Sequence, residues 1–343
     1  MEGDQDRRAR ASPPRRGSPR VAAPGRERGL GVFFEGPEKK LELALAPGQP
    51  SLRSRGLGYW KSIAAKSRAQ VLSTISNESL DAHLLSESSL FVADNWLTMI
   101  TCGRTDLVAA VLQLIEDMGH ENFQYLVYER KNAHFQEYQP GNFFDDVRRL
   151  SERMPGKSYR FGDGDDHHIF LFHLDKPYLP AIDDMTLEIL MHGIDPQAAR
   201  VFMSGPQHKK DYIREKSGVW TLLPGFQVND HLFEPMGYSL NALRGPKYYT
   251  IHVTPQKIGS YVSFETNCVD FGVNETVSRV LDIFKPQSCD VVLFQPQDLR
   301  KKIRCRYPIK RAVRQKLACG YRVSFDHHFK PAAGAAGAFE IVI

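Results

Sequence analysis

Apolar residues recur along this chain with two periods, and the switch between them marks out its elements. Leu107, Val111, Leu114 and Met118 share one face of a 3.6-residue repeat. Thr105 precedes them as a candidate N-cap and Gly119 follows as a stop. A second such face, Val277, Val280, Leu281 and Phe284, opens at Asn274 and ends at Pro286. Elsewhere short β-branched and aromatic runs predict strands over 70–76, 96–102, 124–128, 248–253, 260–266 and 290–294. Each helix sits between strands in the same way, so the two halves read as an internal duplication. Many short strands with few helices predict an α+β layered fold, with antiparallel sheets carrying helices on their outer faces. Segments 52–66 and 205–230 read as loop-rich excursions.

Polar positions interrupt this pattern in two informative places. The extended runs 82–85 and 89–92 meet at a polar junction holding Glu87 and Ser88. A strained peptide there would let the Ser88 hydroxyl attack the Glu87 carbonyl, turning an amide into an ester. Loss of the Ser88 α-hydrogen would then break the ester and leave dehydroalanine, which hydrolyses to a pyruvoyl group. A serine-rich turn between strands is the plain alternative for such a junction taken alone. Farther on, Asp184, Thr186 and Glu188 alternate with Met185, Leu187 and Ile189, and Ser263 and Glu265 with Val262 and Phe264. Strand parity puts each polar set on one sheet face, either solvated or buried around a cation.

Composition narrows the function classes. Of 343 residues, 42% are hydrophobic and 25% charged, as in ordinary globular proteins. The net charge of +5 is concentrated in residues 1–28, which hold eight arginines against four acids, so the body carries no basic patch for nucleic acid. Residues 1–30, rich in Arg and Pro, read as a disordered tail, since they lack apolar area to offset ordering. Their acids and prolines fit an organelle transit helix poorly. Residues 31–330 read as one domain and 331–343 as a low-complexity tail. No membrane span is visible, which predicts a cytosolic protein. The five cysteines lack C-x-x-C spacing, arguing against disulfides or a zinc site. Asp163, Asp165, Asp166, His167 and His168 invite a metal reading, but their order fits no calcium loop and they are taken as a polar turn, leaving no metal expected.

Six motifs in order decide the Glu87–Ser88 question. Phe34-Glu35-Gly36-Pro37-Glu38-Lys39, Leu85 to Ser89, Thr101-Cys102-Gly103, Thr186-Leu187-Glu188, Phe233-Glu234-Pro235 with Gly237-Tyr238-Ser239, and His252 to Pro255 with Ser263 to Asn267 resemble eukaryotic S-adenosylmethionine decarboxylases. The resemblance covers roughly 33–325. It implies a four-layer αββα sandwich and self-cleavage between Glu87 and Ser88, giving a β chain ending at 87 and an α chain headed by a pyruvoyl cofactor. A ketone of that kind is an electron sink for decarboxylating an amine-bearing substrate, S-adenosylmethionine, whose product donates aminopropyl groups to spermidine.

The resemblance also implies residue roles. Cys102 would reprotonate the substrate α-carbon, His252 would remove the Ser88 α-hydrogen, and Ser239 would assist the acyl shift. Glu35 and Glu38 would serve processing and catalysis. Phe34 and Phe233 would sandwich the adenine with the Glu87 backbone reading its edge. Glu42, Asp184, Thr186, Glu188, Glu265, Phe294 and Tyr321 would line a diamine or regulatory site, taken in some relatives by the activator putrescine. Three positions depart from the pattern. Gln256 replaces a ribose-binding glutamate, Ile100 a lysine and Val127 a phenylalanine. Lys40 is placed to supply the diamine's charge, which predicts weak putrescine stimulation. Relatives occur as monomers, homodimers and heterodimers, and an inactive paralogue that activates a partner subunit is the rival reading, with Gln256 in its favour.

Overall fold

Two eight-stranded antiparallel sheets, built from successive halves of the chain, lie face to face in the computed structural model. The structure describes residues 34, 36–133, 136–205, 209–257 and 259–331; the tails expected over 1–30 and beyond 331, and Glu35, lie outside them. The first sheet comprises β1 (Lys39–Leu45), β2 (Val71–Ser76), β3 (Asp81–Leu85), β4 (Ser88–Val92), β5 (Trp96–Thr101), β6 (Phe123–Lys131), β7 (Gly156–Gly162) and β8 (His168–Leu174). The second comprises β9 (Thr186–His192), β10 (Gln227–Leu232), β11 (Tyr238–Arg244), β12 (Lys247–Thr254), β13 (Tyr261–Thr266), β14 (Ser288–Pro296), β15 (Ile309–Lys316) and β16 (Tyr321–Phe329). Their strand orders are β2-β3-β4-β5-β1-β6-β8-β7 and β10-β11-β12-β13-β9-β14-β16-β15. The second order repeats the first strand for strand, as the duplicated pattern predicts.

Parity sorts each strand between two environments. In β1, Leu41, Leu43 and Leu45 join a core with Trp60 and Ile63 of α1 (Gly56–Lys66) and Leu107, Val111 and Leu114 of α2 (Leu107–Met118). In the second half, Leu187, Ile189 and Met191 pack with Val277, Val280 and Leu281 of α6 (Val273–Phe284). The opposite faces meet one another: Tyr125, Val127 and Leu171 of the first sheet cluster with Val292, Phe294, Tyr321 and Phe325 of the second. Helices outside and sheets inside give the four αββα layers. Because helices cover the outer faces, a polar residue on an inner face must find its partner in the gap between sheets, on its own sheet or the facing one.

Several expectations need correcting. Segment 52–66 is not loop: α1 occupies most of it although it contains two glycines and has no side-chain cap, because burying Trp60, Ile63 and Ala64 against the sheet outweighs weak propensity. The 205–230 stretch likewise contains a short helix, α5 (Lys210–Lys216), and the start of β10. Asp106, not Thr105, caps α2, accepting from the Ala109 N–H at 3.1 Å, while the Thr105 hydroxyl donates to the Cys102 carbonyl at 2.8 Å. α6 begins after Gly272 rather than at Asn274, whose side chain instead accepts from the Arg304 N–H at 2.7 Å. No helix among the described residues is long and apolar enough to cross a membrane.

One buried ion pair anchors a helix to the first sheet. Arg130 of β6 donates to Asp146 of α3 (Phe143–Ser151) at 2.6 Å, and the Tyr128 hydroxyl donates to the same carboxylate oxygen at 2.6 Å. Asp146→Ala strands a buried guanidinium, so stability in a denaturant titration is expected to fall by about 3–5 kcal/mol.

Candidate active site

β3 and β4 form a hairpin whose turn is Ser86-Glu87, with Leu85 paired to Ser88. Ser88 has φ of 127°, a region that L-residues avoid, which stores about 1–3 kcal/mol of strain at this peptide. Its side chain is buried, and its hydroxyl has no hydrogen-bond partner. The preceding carbonyl, that of Glu87, accepts from the Cys102 backbone N–H at 2.9 Å and from the Cys102 thiol at 3.4 Å. Two donors on one carbonyl oxygen polarise its carbon, and the unengaged hydroxyl belongs to the next residue.

The second sheet closes over this hairpin. His252 on β12 faces Ser239 on β11 in register, and its Nδ1 lies 2.8 Å from the Ser239 hydroxyl. Its Nε2 approaches the hydroxyls of Thr250 at 2.9 Å and Ser89 at 3.2 Å. Ser89 also donates to Asn241 Oδ1 at 2.5 Å, joining the two sheets. The imidazole therefore sits beside the residue that follows Ser88, and Ser239 holds its far nitrogen. Burial pushes the His252 pKa down to about 3, which keeps the ring neutral at physiological pH.

Acids and thiol around the hairpin are also shifted by burial. Glu38 and Glu87 both rise to about 7, and the Cys102 thiol is raised well above its ordinary value by burial and by those two carboxyls. Cys102 thus keeps its proton at neutral pH. Glu38 accepts from the Ser263 hydroxyl at 2.7 Å, a further bond between sheets. Gly103, at φ 61°, has no room for a side chain: a Cβ would lie 2.9 Å from Glu87 Oε2 and 3.3 Å from the Phe34 ring. Phe34 and the Glu87 side chain are thereby brought to one spot. Phe233 packs edge-on against His231 with centroids 4.6 Å apart. Gln256 follows β12, and its side-chain oxygen is buried without a partner.

The remaining predicted residues gather at a charge cluster between the sheets. Lys40 is buried, and its ammonium contacts Glu188, Glu42 at 2.9 Å and Glu265 at 3.2 Å, while lying 5.0 Å from the Phe294 ring centroid. Sequence reasoning missed the second cation: Lys131 pairs with Glu129 and with the other oxygen of Glu188. Two ammonium groups hold the Glu188 pKa down, whereas burial raises Glu129 and Glu265. Lys40 lies opposite Ile100 in the ladder, and Glu42 opposite Val127. Asp184 accepts from the hydroxyls of Tyr321 at 2.5 Å and Tyr178 at 3.2 Å. A cavity of about 320 Å³ beside this cluster is lined by Glu42, Tyr125, Tyr178, Asp184, Thr186 and Tyr321.

The arrangement has counterparts in known proteins. The family model described as "Adenosylmethionine decarboxylase" matches residues 31–329. An S-adenosylmethionine decarboxylase proenzyme of Dictyostelium discoideum is 33% identical, covering 76% of this chain and 74% of that protein. The proenzyme of that name from Xenopus laevis is 34% identical, covering 77% of this chain and 84% of that protein. The crystal structure of the Trypanosoma brucei AdoMetDC-delta26 monomer superposes with a TM-score of 0.57 at 25% identity, over 71% of this chain and 99% of that one. Sequence and sheet architecture agree, and the chain belongs to the adenosylmethionine decarboxylase family.

Proposed function

We propose that this chain is a proenzyme that cuts itself between Glu87 and Ser88 and then decarboxylates S-adenosylmethionine, providing the aminopropyl donor for spermidine synthesis. The observation that carries the reading is the strained Ser88, whose buried hydroxyl has no partner while the carbonyl before it is held by two donors. In the first step the Ser88 oxygen adds to the Glu87 carbonyl carbon. The Cys102 N–H and thiol hold the charge on the carbonyl oxygen. The carbon–nitrogen bond breaks, the Ser88 nitrogen takes the hydroxyl proton, and an ester joins the two chains while the strained peptide is relieved.

The neutral His252, oriented by Ser239, then takes the Ser88 α-hydrogen. Electrons move to form the Cα–Cβ double bond, and the Glu87 carboxylate leaves as the new C-terminus. Hydrolysis of the resulting dehydroalanine releases ammonia and leaves the pyruvoyl ketone. That group supplies an electron sink for the carbanion left by loss of carbon dioxide. The chain's own residues do the rest. Cys102, protonated at neutral pH, is poised to return a proton to the substrate α-carbon. Phe34 and Phe233 offer faces for the adenine and the sulfonium cation. The unpartnered Gln256 oxygen suits a ribose hydroxyl, as a single neutral acceptor in place of a charged bidentate one. Glu38, held by the Ser263 hydroxyl at 2.7 Å, is the carboxyl offered to the substrate's positive charge.

Lys40 and Lys131 place two ammonium groups among Glu42, Glu129, Glu188 and Glu265, the charge count of a diamine. We read this as a built-in activator. Putrescine is expected to leave wild-type turnover unchanged, whereas Lys40→Ala should become diamine-responsive; a several-fold stimulation of the wild type would contradict it.

Purified protein is expected to run as two fragments on a denaturing gel, with a ketone at the larger fragment's blocked terminus by intact mass. Ser88→Ala should give one uncleaved chain. His252→Ala should stop at the ester, which hydroxylamine cleaves. A wild type that stays whole after long incubation would favour an inactive, partner-activating paralogue. Cys102→Ala, which keeps the backbone donor, should still allow cleavage but lower kcat by about 10²-fold or more.

A further inference from the structure

Three imidazoles converge on one buried carboxylate at a place outside the decarboxylase motifs. His192 of β9, Asp290 of β14 and His327 of β16 face inward from adjacent strands of the second sheet. His167 reaches them from the connection between β7 and β8 of the first. The Asp290 side chain is essentially inaccessible, with an exposure of 2%. His167 Nδ1 lies 3.1 Å and His192 Nε2 lies 3.4 Å from its Oδ2, while His327 Nδ1 lies 2.7 Å from its Oδ1. The His167 ring stacks on His327 at 4.2 Å between centroids and meets His192 edge-on at 4.4 Å.

These separations are the argument. A tetrahedral zinc ion with bonds of about 2.0–2.1 Å places its ligand atoms roughly 3.3 Å apart. The distances of 3.1 and 3.4 Å from one carboxylate oxygen to two imidazole nitrogens match that edge length. One donor atom each from His167, His192 and Asp290 falls within a sphere of mutual distances under 4.8 Å. A hydrogen bond from the His327 ring to the other carboxylate oxygen is the orienting contact that zinc carboxylates commonly receive. The neighbouring Asp166 is already paired with Lys310. An entry path exists, because His167 lines a cavity of about 670 Å³.

We propose that His167, His192 and Asp290 form a zinc-binding site, with His327 as the residue that positions Asp290. The ion would fasten the β7–β8 connection of the first sheet to the inner face of the second. Tyr261 packs edge-on against His192 at 5.2 Å, and Gly36 leaves no space against the same tyrosine, since a Cβ there would lie 2.8 Å from it. The fastener thus adjoins the segment that carries Phe34.

The test uses the full chain stripped with a chelator and titrated with zinc chloride in a calorimeter. One equivalent should bind, the thermal midpoint should rise, and cobalt(II) should give the visible bands of a tetrahedral site. His167→Ala and His192→Ala should abolish these signals, His327→Ala should weaken affinity about 10–100-fold, and His168→Ala should leave it unchanged. Absence of stoichiometric zinc binding by the wild type would overturn the proposal and leave an imidazolium–carboxylate network, and so would undiminished binding in the His167→Ala/His192→Ala double variant. The wild-type titration alone decides the first point, whether or not the variants fold.

Discussion

Carboxylates buried between two sheets demand positive charge, and much of this molecule's centre is organised around that demand. Glu42, Glu129, Glu188 and Glu265 project into a space closed to solvent on both outer sides by helices. Taking such charges out of water costs several kcal/mol each unless they are paired. Lys40 and Lys131 supply the pairing, and Glu188 bridges the two ammonium groups. Because Lys40 and Lys131 belong to the first sheet and Glu188 and Glu265 to the second, the same contacts that settle the charges also fix how the sheets face one another.

Duplication explains why the site lies where it does. Each half has the same strand order and buries one sheet face under its own helices, which leaves its inner face to meet the other half. The strained hairpin comes from the first half, and the groups that surround it, His252, Ser239, Asn241 and Ser263, come from the second. The proposed chemistry draws on both halves. The interior is dry enough to hold His252 neutral and Cys102 protonated, and a strained peptide persists there because bonds from both sheets hold it.

Strand parity made much of this legible in advance. It put Asp184, Thr186 and Glu188 on one face and Ser263 and Glu265 on another; short strands with two amphipathic helices gave an α+β layering, and the family resemblance implied the four αββα layers. It failed where local propensity and tertiary burial disagree. α1 carries two glycines and no cap, so nothing local announces it, and the burial of Trp60 decides. The strand read as 124–128 continues to Lys131, because charged residues look like a strand's end until a partner sheet is there to receive them.

The order of motifs along the chain was sufficient to identify the family, since each motif is a local pattern and local patterns survive in one dimension. What the sequence could not contain is proximity between residues on different strands, from about 25 to well over a hundred positions apart. His167 reads as part of a polar turn, and only the apposition of β8 against β9, β14 and β16 brings it to His192, Asp290 and His327. Lys131 carries no signal in the sequence, and Glu188 reaches it only from the other sheet. A strained peptide was expected at this junction, but that the strain sits in the φ of Ser88 was not legible, because surrounding packing and hydrogen bonds impose it and not the residue that bears it.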